Sequence, residues 1–564
     1  MSIESSNYWN RRRLTRRSVL RGAALAGMGL AGAALLGCSS DDDETSGTPG
    51  TTPGPSGSVA TAVASPVKRG GSGVVAMNGD VTRDMDPHGR GGSAQAVANM
   101  FSHVYVGLTT WEPGYPYVIK GAMAESWETP DPTTYIFNLR KGVKFHHGDV
   151  MTAEDVVFSH ERNFMKEPWI PPYSSWLRMV DSVVATDEFT VRYTLRHPFL
   201  NFLGIPAANR IGGIVSKSFT LANNNDMRTI GSGTGPWRLK EMVPDERVVL
   251  ERSDSYFEMG EDGQSLPYMD ELTYVPITEA QTAVASLRTG EILYSRLSTT
   301  DANLLANDSD ITLHRNPQGW HLGWSIYSEK PPMNDVRVRR ALNLATDRND
   351  LIKKVLTTGW PVMSIPWYTL PDYGIAVDDM PAHYREPNLA EAKSLLTAAG
   401  FEGGLDLEVH QDSGRLFTES SAEVLREQWA AIGVNLSITQ NPPGWSAVEQ
   451  GFPGHFSSAP WTSYPDPNMY VYNWLHSSQK RSTSDIPRWN DPKLDDMMDK
   501  ALIESDEQAR IAQYREIQLY IDETTAQLSL YDKEYNEGVH SKLQGYTAHP
   551  QNRSDIGMTR AWLA

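Results

Sequence analysis

Apolar residues recur at every second position in some stretches of this chain and along one helical face in others. Tyr135, Phe137 and Leu139 alternate with their neighbours, and Val191, Tyr193 and Leu195 do the same after a turn at Asp187-Glu188. Both stretches predict half-buried strands. Between them, Thr152-Ala153-Glu154-Asp155 has the form of a capping box opening a helix through Val156, Val157 and Phe158. Further on, Leu405, Leu407 and Val409 alternate, and Ala422, Leu425, Trp429 and Ile432 then share one helical face. Gly433 can close that helix in a left-handed turn, and Val434, Leu436 and Ile438 return to period two. A β-α-β order of this kind implies parallel pairing and a right-handed crossover. A helix from Val336 places Val338, Ala341, Leu342 and Ala345 on one side, with Asn334 or Asp335 at its cap and Asp347-Arg348 near the cap of the next helix. The folded part is therefore mixed α/β. It runs from about Val74 for nearly five hundred residues, too many for one core.

The pattern is different before residue 74. Arg11, Arg12, Arg13, Arg16, Arg17 and Arg21 precede an apolar run of small residues, Ala23 to Leu36, which is too short to span a bilayer. The run ends at Leu35-Leu36-Gly37-Cys38, and Cys38 is the only cysteine. A small residue directly before a cysteine resembles the lipobox of bacterial lipoproteins, in which the cysteine is acylated and becomes the mature N-terminus. Thr15-Arg16-Arg17-Ser18-Val19-Leu20-Arg21 also resembles the twin-arginine export signal. These resemblances imply a signal peptide over 1–37, lipidation at Cys38 and a body anchored on the outer side of the cytoplasmic membrane rather than spanning it. Residues 38–73, rich in Gly, Ser, Thr, Pro and Asp, read as a flexible linker with a mean reach of about 30 Å.

Composition narrows the chemistry. With its only thiol used for anchoring, the mature chain has neither a disulfide framework nor cysteine metal sites. The formal charge is -18, and the first 37 residues hold six arginines against Glu4, so the remainder is more acidic still. That balance argues against nucleic acid or an anionic membrane surface as a partner. Three strings imitate enzymatic or metal motifs. Gly231-Ser232-Gly233-Thr234-Gly235 lacks the Lys-Ser/Thr of a phosphate-cradling loop, and Pro236-Trp237-Arg238-Leu239 after it reads as a strand. Asp495-Asp496-Met497-Met498-Asp499 follows Asp491-Pro492, where acidic residues suit a helix start. His146 and His147, adjacent on an expected strand, would point to opposite faces, which disfavours joint chelation. The other histidines, including His410, His455 and His476, have no ligand spacing, and there is no nucleophile elbow or zinc-type His-Glu-x-x-His pair. No catalytic residue, cofactor or metal is expected.

Several segments, in order, resemble one family. Leu139-Arg140-Lys141-Gly142-Val143-Lys144-Phe145-His146-His147-Gly148 and then Thr152 to Phe158 are similar to a signature of solute-binding family 5, the peptide/nickel/opine-type binding proteins of ABC importers. Met85-Asp86-Pro87, Val104 to Leu108 and Ala122 to Trp127 resemble its opening segments. Gly233 to Trp237, Pro331 to Leu342 with Asp347-Arg348, and Ala392 to Leu396 with Ala399-Gly400 resemble its later ones. The resemblance implies a two-lobed periplasmic-binding-protein fold of the large cluster C type, with an inserted small subdomain and a hinge. One lobe would comprise 74–108, 224–317 and 535–564, the insertion 109–223, and the second lobe 318–534. It further implies a monomer that captures a small-molecule or oligopeptide ligand by hinge closure and delivers it to ABC permease and ATPase subunits.

The resemblance also suggests where ligand is held. Peptide-binding members carry an aspartate that pairs with the peptide α-ammonium. In the similar string Trp461-Thr462-Ser463-Tyr464-Pro465-Asp466-Pro467, Ser463 occupies that place, and Asp466 is expected to be structural. A hydroxyl cannot neutralise a buried ammonium, and an unpaired buried charge costs several kcal/mol. An oligosaccharide or other uncharged solute is therefore a second candidate, and a receptor for a membrane sensor is a third reading. The second lobe holds nine of the sixteen tryptophans. Trp429 reads as core, and Trp320, Trp324, Trp445 and Trp461 are candidates to cover a ligand with flat faces. Ser463 and Tyr464 join them, as does Lys330, which matches a lysine that reaches the peptide carboxylate in some peptide binders.

Overall fold

The structure is a computed structural model that describes residues 67–564 apart from 78–84, 89–94, 113–117, 166–178, 205–211, 228–229, 357, 413–415, 442–453, 462–465, 480–488 and 550–553. Cys38, Trp445, Ser463 and Tyr464 lie outside the described residues.

Alternating positions form the strands they predict. Thr134–Leu139 and Thr190–Leu195 bury Tyr135, Phe137, Leu139, Val191, Tyr193 and Leu195 and pair antiparallel within a four-stranded sheet. Helix Ala153–Met165 follows the capping box, with Thr152 N donating to Asp155 Oδ2 at 2.9 Å. Arg162 on this helix makes a bidentate bond to Asp86 at 2.7 Å, tying the insertion to the opening segment of the body. Both partners are buried, so each oxygen needs its donor.

An eleven-stranded sheet runs through the rest of the body. On one side Ser72–Met77 pairs in parallel with Glu271–Pro276, and Tyr294–Leu297 pairs antiparallel with the late strand Gln527–His540. On the other side Leu405–Asp412 pairs in parallel with Val434–Asn441, as the β-α-β reading requires, and Gly433 turns at φ 83° between helix and strand. Two long strands, Ile311–Ile326 and Gln527–His540, join the two sides and pair antiparallel with each other. Their register shifts between Pro317 and His321, where the first strand has more residues than the second. A bulge of this kind bends a ribbon and increases its twist.

Each side has its own core. One gathers Val75, Phe101, Tyr105, Trp237, Leu250 and Leu272, the other Leu322, Trp324, Leu342, Leu425, Trp429 and Phe456. Asp335 caps helix Val336–Ala345 through Arg337 N, and Asp347 caps Arg348–Val355 through Asp350 N. Asp491 caps Pro492–Ile503, which accounts for the aspartates that follow it as a helix start. The body also begins earlier than the composition suggests. Ser72 already starts a strand, and Arg69 bonds Asp262 at 2.5 Å and lies over the Tyr268 ring, so residues 69–73 belong to the body and not to the linker. Among the described residues no helix is long and apolar enough to cross a membrane.

Candidate ligand-binding site

His146 and His147 depart from the expected strand. They occupy a turn, not a strand, with Gly148 N donating to Phe145 O at 2.9 Å and Gly148 at φ 108°. Both side chains reach the same glycine-rich segment. His146 Nδ1 accepts from Gly233 N at 3.3 Å while its Nε2 lies 3.0 Å from Gly235 O, which makes Nε2 the protonated nitrogen. His147 Nδ1 lies 2.5 Å from Ser232 Oγ. Burial pushes the His146 pKa down to about 4, so its ring is neutral at neutral pH.

The glycines serve close packing rather than phosphate binding. A Cβ on Gly233 would lie 2.0 Å from Val104 O, and one on Gly235 would lie 2.2 Å from His103 O. Backbone cannot yield as a flexible side chain does. Gly235→Ala is therefore expected to destabilise the first lobe by about 3 kcal/mol, read as a lowered unfolding midpoint in urea. A midpoint equal to that of the parent would contradict this packing.

The residues expected to hold ligand separate into distinct environments. Trp324 lies inside the second core, fully buried, with its ring 5.7 Å from Trp429 at 85° and 5.4 Å from Phe456. That position gives it a packing role, contrary to its expected place against a ligand. Trp474 and Trp489 are also buried. Trp320 lies on the first crossing strand at the register shift, and the Trp461 backbone pairs with His321 on that strand. Lys330 Nζ donates to Gly454 O at 3.2 Å and sits 5.6 Å from the Tyr327 ring centre.

Aromatic residues the sequence did not single out stand beside the second crossing strand. The Trp360 backbone pairs with Asp532, and its ring lies 5.3 Å from Tyr368, which meets Trp367 at 5.5 Å. All three rings are half-buried. A buried polar group lies further along the same strand. Glu537 pairs across the sheet with Arg296 on one side and His314 on the other, and Tyr294 Oη donates to its Oε1 at 2.8 Å. Burial raises the Glu537 pKa to about 7. Charged residues on a buried strand at a lobe junction were the available signal, but period two alone does not say which face meets solvent.

Asp466, which directly follows residues 462–465 in the chain, is fully engaged. Arg510 Nη2 donates to both of its oxygens at 3.2 and 2.9 Å, Asn468 N donates at 2.8 Å, and the Asn201 amide donates to Oδ2. Arg510 Nη1 also donates to Tyr373 Oη at 3.0 Å. Burial works against the Arg510 charge, but Asp466, Tyr514 and Tyr373 outweigh it and its pKa is raised. This geometry agrees with a structural role for Asp466. Among the described residues no group of three or more His, Cys, Asp or Glu is placed to hold a metal ion.

Residues 118–482 match the model of the bacterial extracellular solute-binding proteins, family 5. The chain belongs to this family. It is 27% identical over 479 residues to the oligopeptide-binding protein AppA of Bacillus subtilis, covering 79% of this chain and 84% of that protein. The fold matches the periplasmic binding protein DppA from Helicobacter pylori in complex with the peptide STSA, with a TM-score of 0.75, 24% identity, and coverage of 88% of this chain and 98% of that one. It matches AgaA from A. tumefaciens R10 in complex with agropinic acid equally well, at a TM-score of 0.75 and 21% identity, covering 88% and 99%. The chain is thus a substrate-binding protein, and the family and these relatives are binding proteins rather than enzymes.

Proposed function

We propose that this chain receives a short peptide or peptide-like solute for an ABC importer, closes its two lobes around it and delivers it to a membrane permease. The observation that carries this reading is the similarity, along most of the body, to a protein named for oligopeptide binding. The fold shared with a peptide complex is consistent with it. The oligosaccharide alternative rested on Ser463 and on the tryptophans of the second lobe, and the second of these grounds loses weight because Trp324, Trp474 and Trp489 are buried in packing. The chain works as a monomer and turns nothing over, with ATP hydrolysis supplied by separate subunits. Acyl chains on Cys38 hold it at the outer side of the cytoplasmic membrane. The ligand contacts come from Lys330, Trp320, Trp445, Trp461, Ser463 and Tyr464, and Ser463 implies that a peptide ammonium is met by something other than an aspartate at that position.

Native mass spectrometry of the full chain purified from its own host, with release and identification of what is bound, tests this reading. Short peptides are expected, and a sugar would overturn the peptide assignment. Ser463→Asp is expected to leave affinity for the released solute unchanged or weaker by calorimetry. Tighter binding would show that the missing carboxylate limits recognition.

A further inference from the structure

Asn201 belongs to the inserted subdomain. Phe202 beside it packs its ring 4.5 Å from Tyr135 and 5.4 Å from Tyr193, which fixes the turn to the four-stranded sheet, and Thr109 Oγ1 of a separate two-stranded sheet donates to Leu203 O at 2.8 Å. Asp466 belongs to the other lobe, at the start of helix Asn468–Leu475, and Arg510 on helix Glu507–Thr524 holds its carboxylate. The Asn201 amide nevertheless donates to Asp466, and both residues are buried.

We propose that Asn201, Asp466 and Arg510 form a latch between the lobes that favours the closed arrangement. Arg510 keeps the acceptor in place, and Asn201 brings the donor from the opposite lobe. Opening the hinge separates the amide from a carboxylate, and a hydrogen bond to a charged acceptor away from water is one of the stronger kinds. Bound solute then adds to a bias already present in the protein, and its apparent affinity rises with the fraction that is closed. Asn201 and Asp466 are positioning residues, acting on the angle between the lobes. The proposal rests on the two-lobed fold and on hinge closure, not on which solute is bound.

The test uses the full chain with Cys38→Ser, stripped of bound solute. Spin labels go on Thr186→Cys in the insertion and Ser394→Cys in the second lobe, both exposed positions. Pulsed dipolar spectroscopy then reads the distance between labels. The parent is expected to populate the short distance, and Asn201→Ala to shift the closed-to-open ratio by about tenfold toward the long one. Asn201→Asp, which sets two carboxylates against each other, is expected to shift it further. If Asn201→Asp does not fold, Asn201→Ala decides. Distances unchanged from the parent, or a parent that is already open, overturn the latch. Failure to bind any peptide would overturn the peptide reading and leave these ligand-free distances standing.

Discussion

Replacing Arg510 with methionine is expected to destabilise the second lobe by about 3–5 kcal/mol, seen as a lower urea midpoint in tryptophan fluorescence. The guanidinium and the Asp466 carboxylate are both fully buried, and their attraction offsets the cost of removing each from water. Methionine fills much of the space but leaves a buried carboxylate without its counter-ion. Asn201 and Asn468 still donate to that carboxylate, but neither carries charge. Arg510→Met combined with Asp466→Asn is expected to cost less than the two single changes added together, since the second change removes the stranded charge. Fully additive costs, or a single-variant loss under about 1 kcal/mol, would mean the pair is hydrated like a surface ion pair.

Trp324→Ala is expected to cost about 3–5 kcal/mol, while Trp324→Phe costs much less. The Trp324 indole touches two other aromatic rings of the same core, Trp429 and Phe456. Trp429 is held in turn by its Nε1 donating to Thr346 Oγ1 at 3.1 Å, so it cannot readily move into the cavity. Solute uptake by Trp324→Phe, measured on folded protein, is expected to equal that of the parent. A loss of affinity without a loss of stability would return Trp324 to the ligand.

Local order in this protein was legible because local rules produce it. Alternation marked the strands at 135–139 and 191–195, and Asp335, Asp347 and Asp491 cap helices where short side chains before apolar faces suggested. His146-His147 misled because a strand-like run hides a turn completed by Gly148, the residue able to take φ 108°. Trp324 misled for another reason. Period two places it on one face of a strand, and only the whole fold decides whether that face meets a cleft or a helix. Of the residues near the candidate site, the structural role of Asp466 could be anticipated from family motifs. Asn201 could not, because its partner is 265 positions away and no periodicity connects them.

The two crossing strands also govern how the protein can be made. Tyr294–Leu297 lies at the margin of the first half of the sheet, and its partner there is Val539 to Asn536 near the end of the chain. During synthesis from the N-terminus, that half therefore carries a bare edge while the whole second half is translated. Exposed edges of this kind invite pairing with other chains. The final long strand covers this edge and pairs with Ile311–Ile326 in the same step. Completion of both halves thus depends on one late segment.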